Sequence, residues 1–242
     1  FDFRCDTRKA GQMCGIVGIL TKIQDQLVDT DSLREAIGII NHRGPDESGR
    51  LGFGHTRLSI IDLSPTGSQP MFSDEKSTVI VFNGEIYNFI ELAEDLRSDG
   101  VSFRGNSDTE VLLHMYRKHC VEMLSHLNGI FAFAIWDSNQ ETLFVARDAM
   151  GIKPLYYCED EEGFTFSSEI KAIRLLNKNL GSLDLSAINQ YLSFIWSPGE
   201  RTLFSKVKKL SPGAALLVKN DSIVKQWNWY ESPTKKNICI DK

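Results

Sequence analysis

Met13-Cys14-Gly15-Ile16-Val17-Gly18-Ile19-Leu20 is a short apolar strand in which a cysteine directly follows a methionine. Translation starts at methionine, and that residue is readily removed when a small one follows. Cleavage after Met13 would leave Cys14 with both a thiol and a free α-amine, so one residue would hold nucleophile and base. An α-amine of pKa about 8 takes up a thiol proton near neutral pH without help from a histidine. The plainer reading of Cys14 is a buried strand cysteine, a common setting for free cysteines. The rest of the chain has to decide between the two.

Residues 1–12 carry two arginines and a lysine but no apolar run, so they do not form a secretory signal. They are a propeptide, an expression remnant or upstream sequence read into a start at Met13, the last two being favoured. While residues 1–13 remain attached, the Cys14 amine is an amide and cannot act as a base. The 242 residues, 42% hydrophobic and 10% aromatic, are enough for a substantial core in one domain. A net charge of −5 and the lack of a basic run argue against a nucleic-acid partner. No apolar stretch approaches the roughly 18 residues of a membrane span. Cys5, Cys14, Cys120, Cys158 and Cys239 are scattered and odd in number, which fits a reducing cytoplasm better than a disulfide framework. No CxxC or paired Cys/His spacing is present, so no metal site is expected.

Helical periodicity appears at Leu33, Ala36, Ile37 and Ile40 behind the capping run Asp29-Thr30-Asp31-Ser32. His42-Arg43-Gly44-Pro45-Asp46 breaks it into a charged loop, and residues 51–62 are strand-like, with Arg57 among apolar neighbours. Asn83-Gly84 after Thr78–Phe82 predicts a type I′ hairpin. Asn88 is placed to cap a helix through Ile90, Leu92, Ala93 and Leu96, and Ser107 with Glu110 forms a capping-box pattern for the next. Short strands follow at 130–136, 142–146, 155–158 and 164–167, then a helix at 185–194 and strands near 207–210, 214–218 and 223–229. Apolar runs without alternation are strands covered on both faces. The sum is a two-sheet core flanked by helical layers.

An acyl-transfer site needs a nucleophile, a base, donors for the oxyanion and groups that hold the substrate. Cys14 would supply the first two. The Asn83 amide and the Gly84 N–H can converge on one oxygen, each donor being worth on the order of 3 kcal/mol, although the same dipeptide would serve as a turn. Arg57 suits a carboxylate and Asp108 an ammonium, as for an amino-acid substrate. A structural ion pair for Arg57 and a helix-capping role for Asp108 stay open. His42 and His55 lie nearby in sequence, but an N-terminal cysteine needs neither. CGIVG lacks the Lys-Ser/Thr of a phosphate loop.

MCGIVG, HRGPDESG, GHTRLSIIDLS, FNGEIYNF, GNSDTEVLLHMY, LNGIFAFAIWD, ARDAMGIKPLYY and SSEIKA resemble, in order and spacing, the class II glutamine amidotransferase domain of glutamine-hydrolysing asparagine synthetases. The likeness covers about residues 13–230. It implies an α+β fold, the N-terminal-nucleophile hydrolase αββα four-layer sandwich, that hydrolyses L-glutamine to glutamate and ammonia. It also implies that Cys14 is the nucleophile and that Asn83 and Gly84 form the oxyanion hole. Arg57, Glu85 and Asp108 would bind glutamine, the segment Leu58, Ser59, Ile60, Ile61 would line the pocket, and residues 42–46 would form a mobile loop over it.

On this resemblance residues 1–13 are leader or upstream sequence, 14–230 the amidotransferase domain and 231–242 the start of a linker. A C-terminal synthetase domain binding ATP and Mg2+ would receive the ammonia and amidate aspartate. No SGGxDS-type pyrophosphate loop occurs in the sequence, so the chain reads as an amino-terminal portion with no cofactor of its own. The resemblance leaves homodimerisation open and extends to proteins that amidate another acceptor, such as a surface-polysaccharide sugar. Permanent retention of residues 1–13 would instead make the domain non-catalytic, a glutamine sensor or scaffold.

Overall fold

The computed structural model describes residues 14–21, 30–40, 52–56, 67–161 and 163–232. Two antiparallel sheets form the centre. The first runs in the order β2 (Gly52–Thr56), β1 (Gly15–Thr21), β8 (Gly163–Ser167), β7 (Tyr156–Glu159), β9 (Val207–Lys209). The second runs β11 (Ser222–Asn228), β10 (Ala214–Lys219), β6 (Thr142–Arg147), β5 (Gly129–Asp137), β4 (Thr78–Ile86), β3 (Met71–Phe72).

Side-chain alternation along each strand sorts residues into three apolar layers. Ile16 and Leu20 of β1, Phe164 and Phe166 of β8, Val79 and Val81 of β4 and Ala132 and Ala134 of β5 pack together between the sheets. The opposite face of the second sheet, with Ile80, Phe82, Phe131, Phe133 and Ile135, meets helices α2 (Phe89–Ser98) and α3 (Asp108–His119) through Leu92, Leu96, Leu112 and Met115. Val17 on the outer face of the first sheet packs with Leu33, Ala36, Ile37 and Ile40 of α1 (Thr30–Ile39) and its flank and with Ala172 of α4 (Ile170–Leu176). Helix, sheet, sheet, helix is the αββα sandwich. A fifth helix, α5 (Leu185–Phe194), buries only Ala187 and leaves Leu185, Leu192 and Phe194 exposed.

The elements follow the local chemistry closely. Ser107 caps α3 by accepting the Glu110 N–H at 3.2 Å. The Glu110 carboxylate does not close a capping box. It reaches further back, to the amides of Arg104 (2.8 Å) and Gly105 (2.9 Å). Asn88 stands before α2 without capping it, since its carboxamide bridges to the carbonyl of His126 and the amide of Asn128. Ile90, on the helical face expected to be buried, is exposed. The hairpin expected at Asn83-Gly84 does not form, because β4 continues straight through the pair to Ile86.

Gly18 shows how tightly the sheets pack. A Cβ there would lie 2.4 Å from the Phe166 ring and 2.8 Å from that of Phe53, two rings that meet edge to face at 5.6 Å. Gly18→Ala therefore overpacks the inter-sheet layer and should lower stability by about 1–3 kcal/mol. The check is a urea titration, in which the midpoint should fall with an unchanged slope.

Candidate active site

Cys14, partly buried, is the residue immediately before β1. Two serines anchor the strand beyond it. The Ile16 N–H donates to Ser168 Oγ at 3.0 Å, and the Ile16 carbonyl accepts from Ser167 Oγ (3.0 Å) and Ser168 N (2.8 Å). Both serines are buried, so the base of Cys14 is held by a segment more than 150 residues away. These serines lie in the SSEIKA motif, to which the sequence reading attached no role.

Asn83 and Gly84 sit in the extended backbone of β4, opposite Ala132 and Phe131 of β5. A Cβ on residue 84 would fall 2.2 Å from the Ile130 carbonyl oxygen and 2.7 Å from Phe131 Cα, so only glycine fits. Val79 and Val81 point between the sheets, and the same alternation turns Asn83 toward the sheet that carries β1. Asn83 is 0% exposed, and neither its Nδ2 nor its Oδ1 has a hydrogen-bond partner among the described residues. Leaving such a group unmatched costs on the order of 1–3 kcal/mol.

A series of contacts links this pair to the segment that anchors the strand after Cys14. Gly84 pairs with Phe131, whose carbonyl accepts the Asp148 N–H at 2.7 Å. The neighbouring Arg147 guanidinium donates to the Leu210 carbonyl at 2.5 Å, and the Leu210 N–H donates to Leu155. Leu155 leads into β7, where Tyr156 pairs with Ser167, next to the Ser168 that binds Ile16.

The ARDAMGIKPLYY motif has a clear structural role here. The buried Asp148 carboxylate accepts from the amides of Phe131, Met150, Ile152 and Lys153, and Arg147 donates to the carbonyls of Lys153, Gly151 and Leu210. Together they tie the loop after β6 to the end of β5 that lies against Gly84.

Asp108, the first residue of α3, is 6% exposed, and its Oδ2 accepts the Ile86 N–H at 3.2 Å. Burial pushes its pKa up to about 6, and the nearby Glu85 carboxylate adds to the rise, while amide hydrogen bonds from Ile86 and Thr109 oppose it. A buried carboxylate with a second one near enough to raise its pKa is a setting that favours a cation.

His55, buried in β2, pairs in register with Ile16. Arg57, Leu58, Ser59, Ile60 and Ile61, the loop 42–46 and the segment 1–13 lie outside the described residues. Of the expected set, Asn83, Gly84 and Glu85 are consecutive in β4, Asp108 accepts the amide of Ile86 just beyond them, and Cys14 precedes the strand held by Ser167 and Ser168. The structure adds the Ser167–Ser168 anchor and the Arg147–Asp148 brace. Among the described residues no group of three potential metal ligands occurs, and no helix is long and apolar enough to cross a membrane.

Comparison with known proteins places this geometry in context. A family described as "Glutamine amidotransferase domain" matches residues 13–230. "Asparagine synthetase [glutamine-hydrolyzing] 1" of Bacillus subtilis is 43% identical over 218 residues, covering 86% of this chain and 34% of that protein. "Amidase chry2" of Gibberella zeae is 33% identical, covering 90% of this chain and again 34% of that protein. The chain therefore spans about a third of the length of these relatives. Among solved structures, glutamine phosphoribosylpyrophosphate amidotransferase from B. subtilis superposes with a TM-score of 0.59 at 19% identity, over 90% of this chain and 50% of that one, a likeness of fold.

The raised Asp108 has a thermodynamic consequence. A carboxyl whose folded pKa exceeds its unfolded value holds its proton more tightly in the native state. Its stabilising contribution is full below about pH 4 and is lost as pH rises through 6. Asp108→Asn removes that loss while keeping an acceptor for Ile86. At pH 7 the variant should be more stable by on the order of 2–3 kcal/mol; at pH 4 the two proteins should unfold alike in urea.

Proposed function

This chain belongs to the glutamine amidotransferase domain family, and from that premise we propose that its Cys14 end is a glutaminase centre. The observation that carries the reading is Asn83, fully buried, with neither polar atom of its side chain matched among the described residues.

In the proposed reaction, removal of everything through Met13 exposes the Cys14 α-amine, which takes the thiol proton. The thiolate attacks the side-chain carboxamide carbon of glutamine. Negative charge gathers on the carboxamide oxygen, toward which Asn83 Nδ2 and the Gly84 N–H donate. The ammonium of Cys14 returns its proton to the departing nitrogen, releasing ammonia and leaving a thioester. Water then cleaves the thioester to give glutamate and the free thiol. Glu85 and Asp108 receive the α-ammonium of glutamine, Arg57 receives its α-carboxylate, and residues 58–61 line the pocket.

In the longer protein proposed here, the ammonia passes to a C-terminal synthetase domain for amidation of aspartate in the cytoplasm, a reaction for which that domain would bind ATP and Mg2+. A second reading keeps the glutaminase and changes the acceptor. It is favoured by the match to a relative named as an amidase, over the same share of its length as the match to a synthetase.

Cys14→Ala, in the processed protein whose first residue is residue 14, should abolish ammonia release from glutamine, a loss of more than about 10³-fold, while the unfolding midpoint is kept. Turnover near the parent rate would remove Cys14 from the nucleophile role. The pH dependence of glutamine affinity tests Asp108. With its pKa at about 6, only about a quarter of Asp108 is ionised at pH 5.5, so KM should rise about fourfold between pH 7.5 and 5.5. The rise should vanish in Asp108→Asn, whose KM should be uniformly high.

A further inference from the structure

The unmatched donor at Gly84 depends on how the outer edge of β4 is held. β3 is two residues long and pairs Met71 with Ile80 and Phe72 with Val79. Continued by two positions, that register would set residue 69 opposite residue 82. The strand does not continue, and the side chain of Gln69 takes its place, with Oε1 accepting the Phe82 N–H at 2.6 Å. The other end of the same carboxamide, Nε2, donates to Thr109 Oγ1 at 3.2 Å, one residue beyond Asp108 in the first turn of α3. Asp108 itself takes the Ile86 N–H.

Strand geometry makes the consequence specific. Backbone N–H groups alternate sides along a strand, so those of Phe82, Gly84 and Ile86 all point to this outer edge, away from β5. Gln69 occupies the first and Asp108 the third. The one between them, on Gly84, has no acceptor among the described residues.

Building on the glutaminase reading, we infer that Gln69 is a positioning residue that fixes the oxyanion donors of Asn83 and Gly84 by standing in for the missing strand and tying the β4 edge to α3. Gln69 touches neither the nucleophile nor the donors. It acts through Phe82, the residue before Asn83, whose buried N–H would otherwise lack a partner. Oxyanion donors act within a narrow range of roughly 2.7–3.1 Å, so a small shift of the strand weakens transition-state stabilisation more than ground-state binding.

The test uses the processed protein beginning at Cys14, with ammonia release expressed per Cys14 thiol titrated by a chloroketone analogue of glutamine. Gln69→Met keeps the length of the side chain and removes both hydrogen bonds. Its kcat should fall about 10- to 100-fold with KM for glutamine changed less than about threefold. Gln69→Glu restores an acceptor for the Phe82 N–H and should return kcat to within about fivefold of the parent. A purely structural role would lower the titratable fraction and the unfolding midpoint while leaving kcat per thiol unchanged; that outcome overturns the inference, as does a Gln69→Glu variant as slow as Gln69→Met. Should Gln69→Met not fold, Thr109→Val, which frees only the Nε2 end, carries the test. A drop in kcat of about threefold or more at constant KM supports the inference, and a parent-like kcat overturns it. If the parent itself releases no ammonia, the glutaminase reading falls and takes this inference with it. An active parent beside an unaffected Gln69→Met removes the role of Gln69 alone.

Discussion

All nine residues of β4 are paired with β5, from Thr78 opposite Asp137 to Ile86 opposite Gly129, and this ladder carries the proposed site. It holds an Asn-Gly dipeptide extended, against the local preference of both residues for a turn. In a turn the Asn83 carboxamide would reach solvent and the Gly84 N–H would help close the hairpin. In the ladder the carboxamide is driven between the sheets and the N–H is turned to an edge without a neighbouring strand. The close approach of β5 behind Gly84, where even a methyl group would strike the Ile130 carbonyl, makes this geometry specific to glycine.

The ladder is itself braced from the far side. Phe131 lies opposite Gly84, and its amide and carbonyl both bind Asp148. Asp148 and Arg147 gather the following loop and the Leu210 carbonyl around themselves, so the second sheet is fastened to the first beside the strand that anchors Ile16. Displacing Asp148 would disturb the backbone opposite the donors without touching any group proposed to meet substrate. Removing the Asp148 carboxylate would leave the amides of Phe131, Ile152 and Lys153 without their acceptor.

Local signals were legible in the sequence where local forces decide. The cap at Ser107, the helix at 185–194 and the apolar runs of β5 and β6 are present where propensity and periodicity put them. Failures occur where distant partners outweigh nearby ones. Asn83-Gly84 is extended because β5 pairs with it. Ile90 is exposed because α2 docks through Leu92, Ala93 and Leu96. Helix α4 was missed because it is seven residues long and has no side-chain cap to announce it. Of the site, Cys14, Asn83, Gly84 and Asp108 could be singled out by residue type and setting, and the family likeness added Glu85. Gln69, Ser167 and Ser168 could not, since each acts on backbone groups that the sequence does not show to be nearby.

Comparison of like groups within the same fold separates structural from functional burial. Asn177 is buried as Asn83 is, yet it donates to Asp160 at 2.9 Å and accepts from the Asn179 N–H at 2.8 Å. Asp148, Asp137 and Glu110 are buried carboxylates, each with several donors from the surrounding loops or side chains. Asp108 accepts one cross-element hydrogen bond, from Ile86, and its pKa is raised chiefly by burial, with the nearby Glu85 carboxylate adding to the rise. Among the described buried carboxamides, Asn177 is matched and Asn83 is not. A buried carboxamide without a partner among the described residues, on the strand whose Ile86 amide binds a desolvated carboxylate, suits a molecule that carries an ammonium and develops an oxyanion. Glutamine attacked at its side-chain amide is such a molecule, and its binding would meet both needs together.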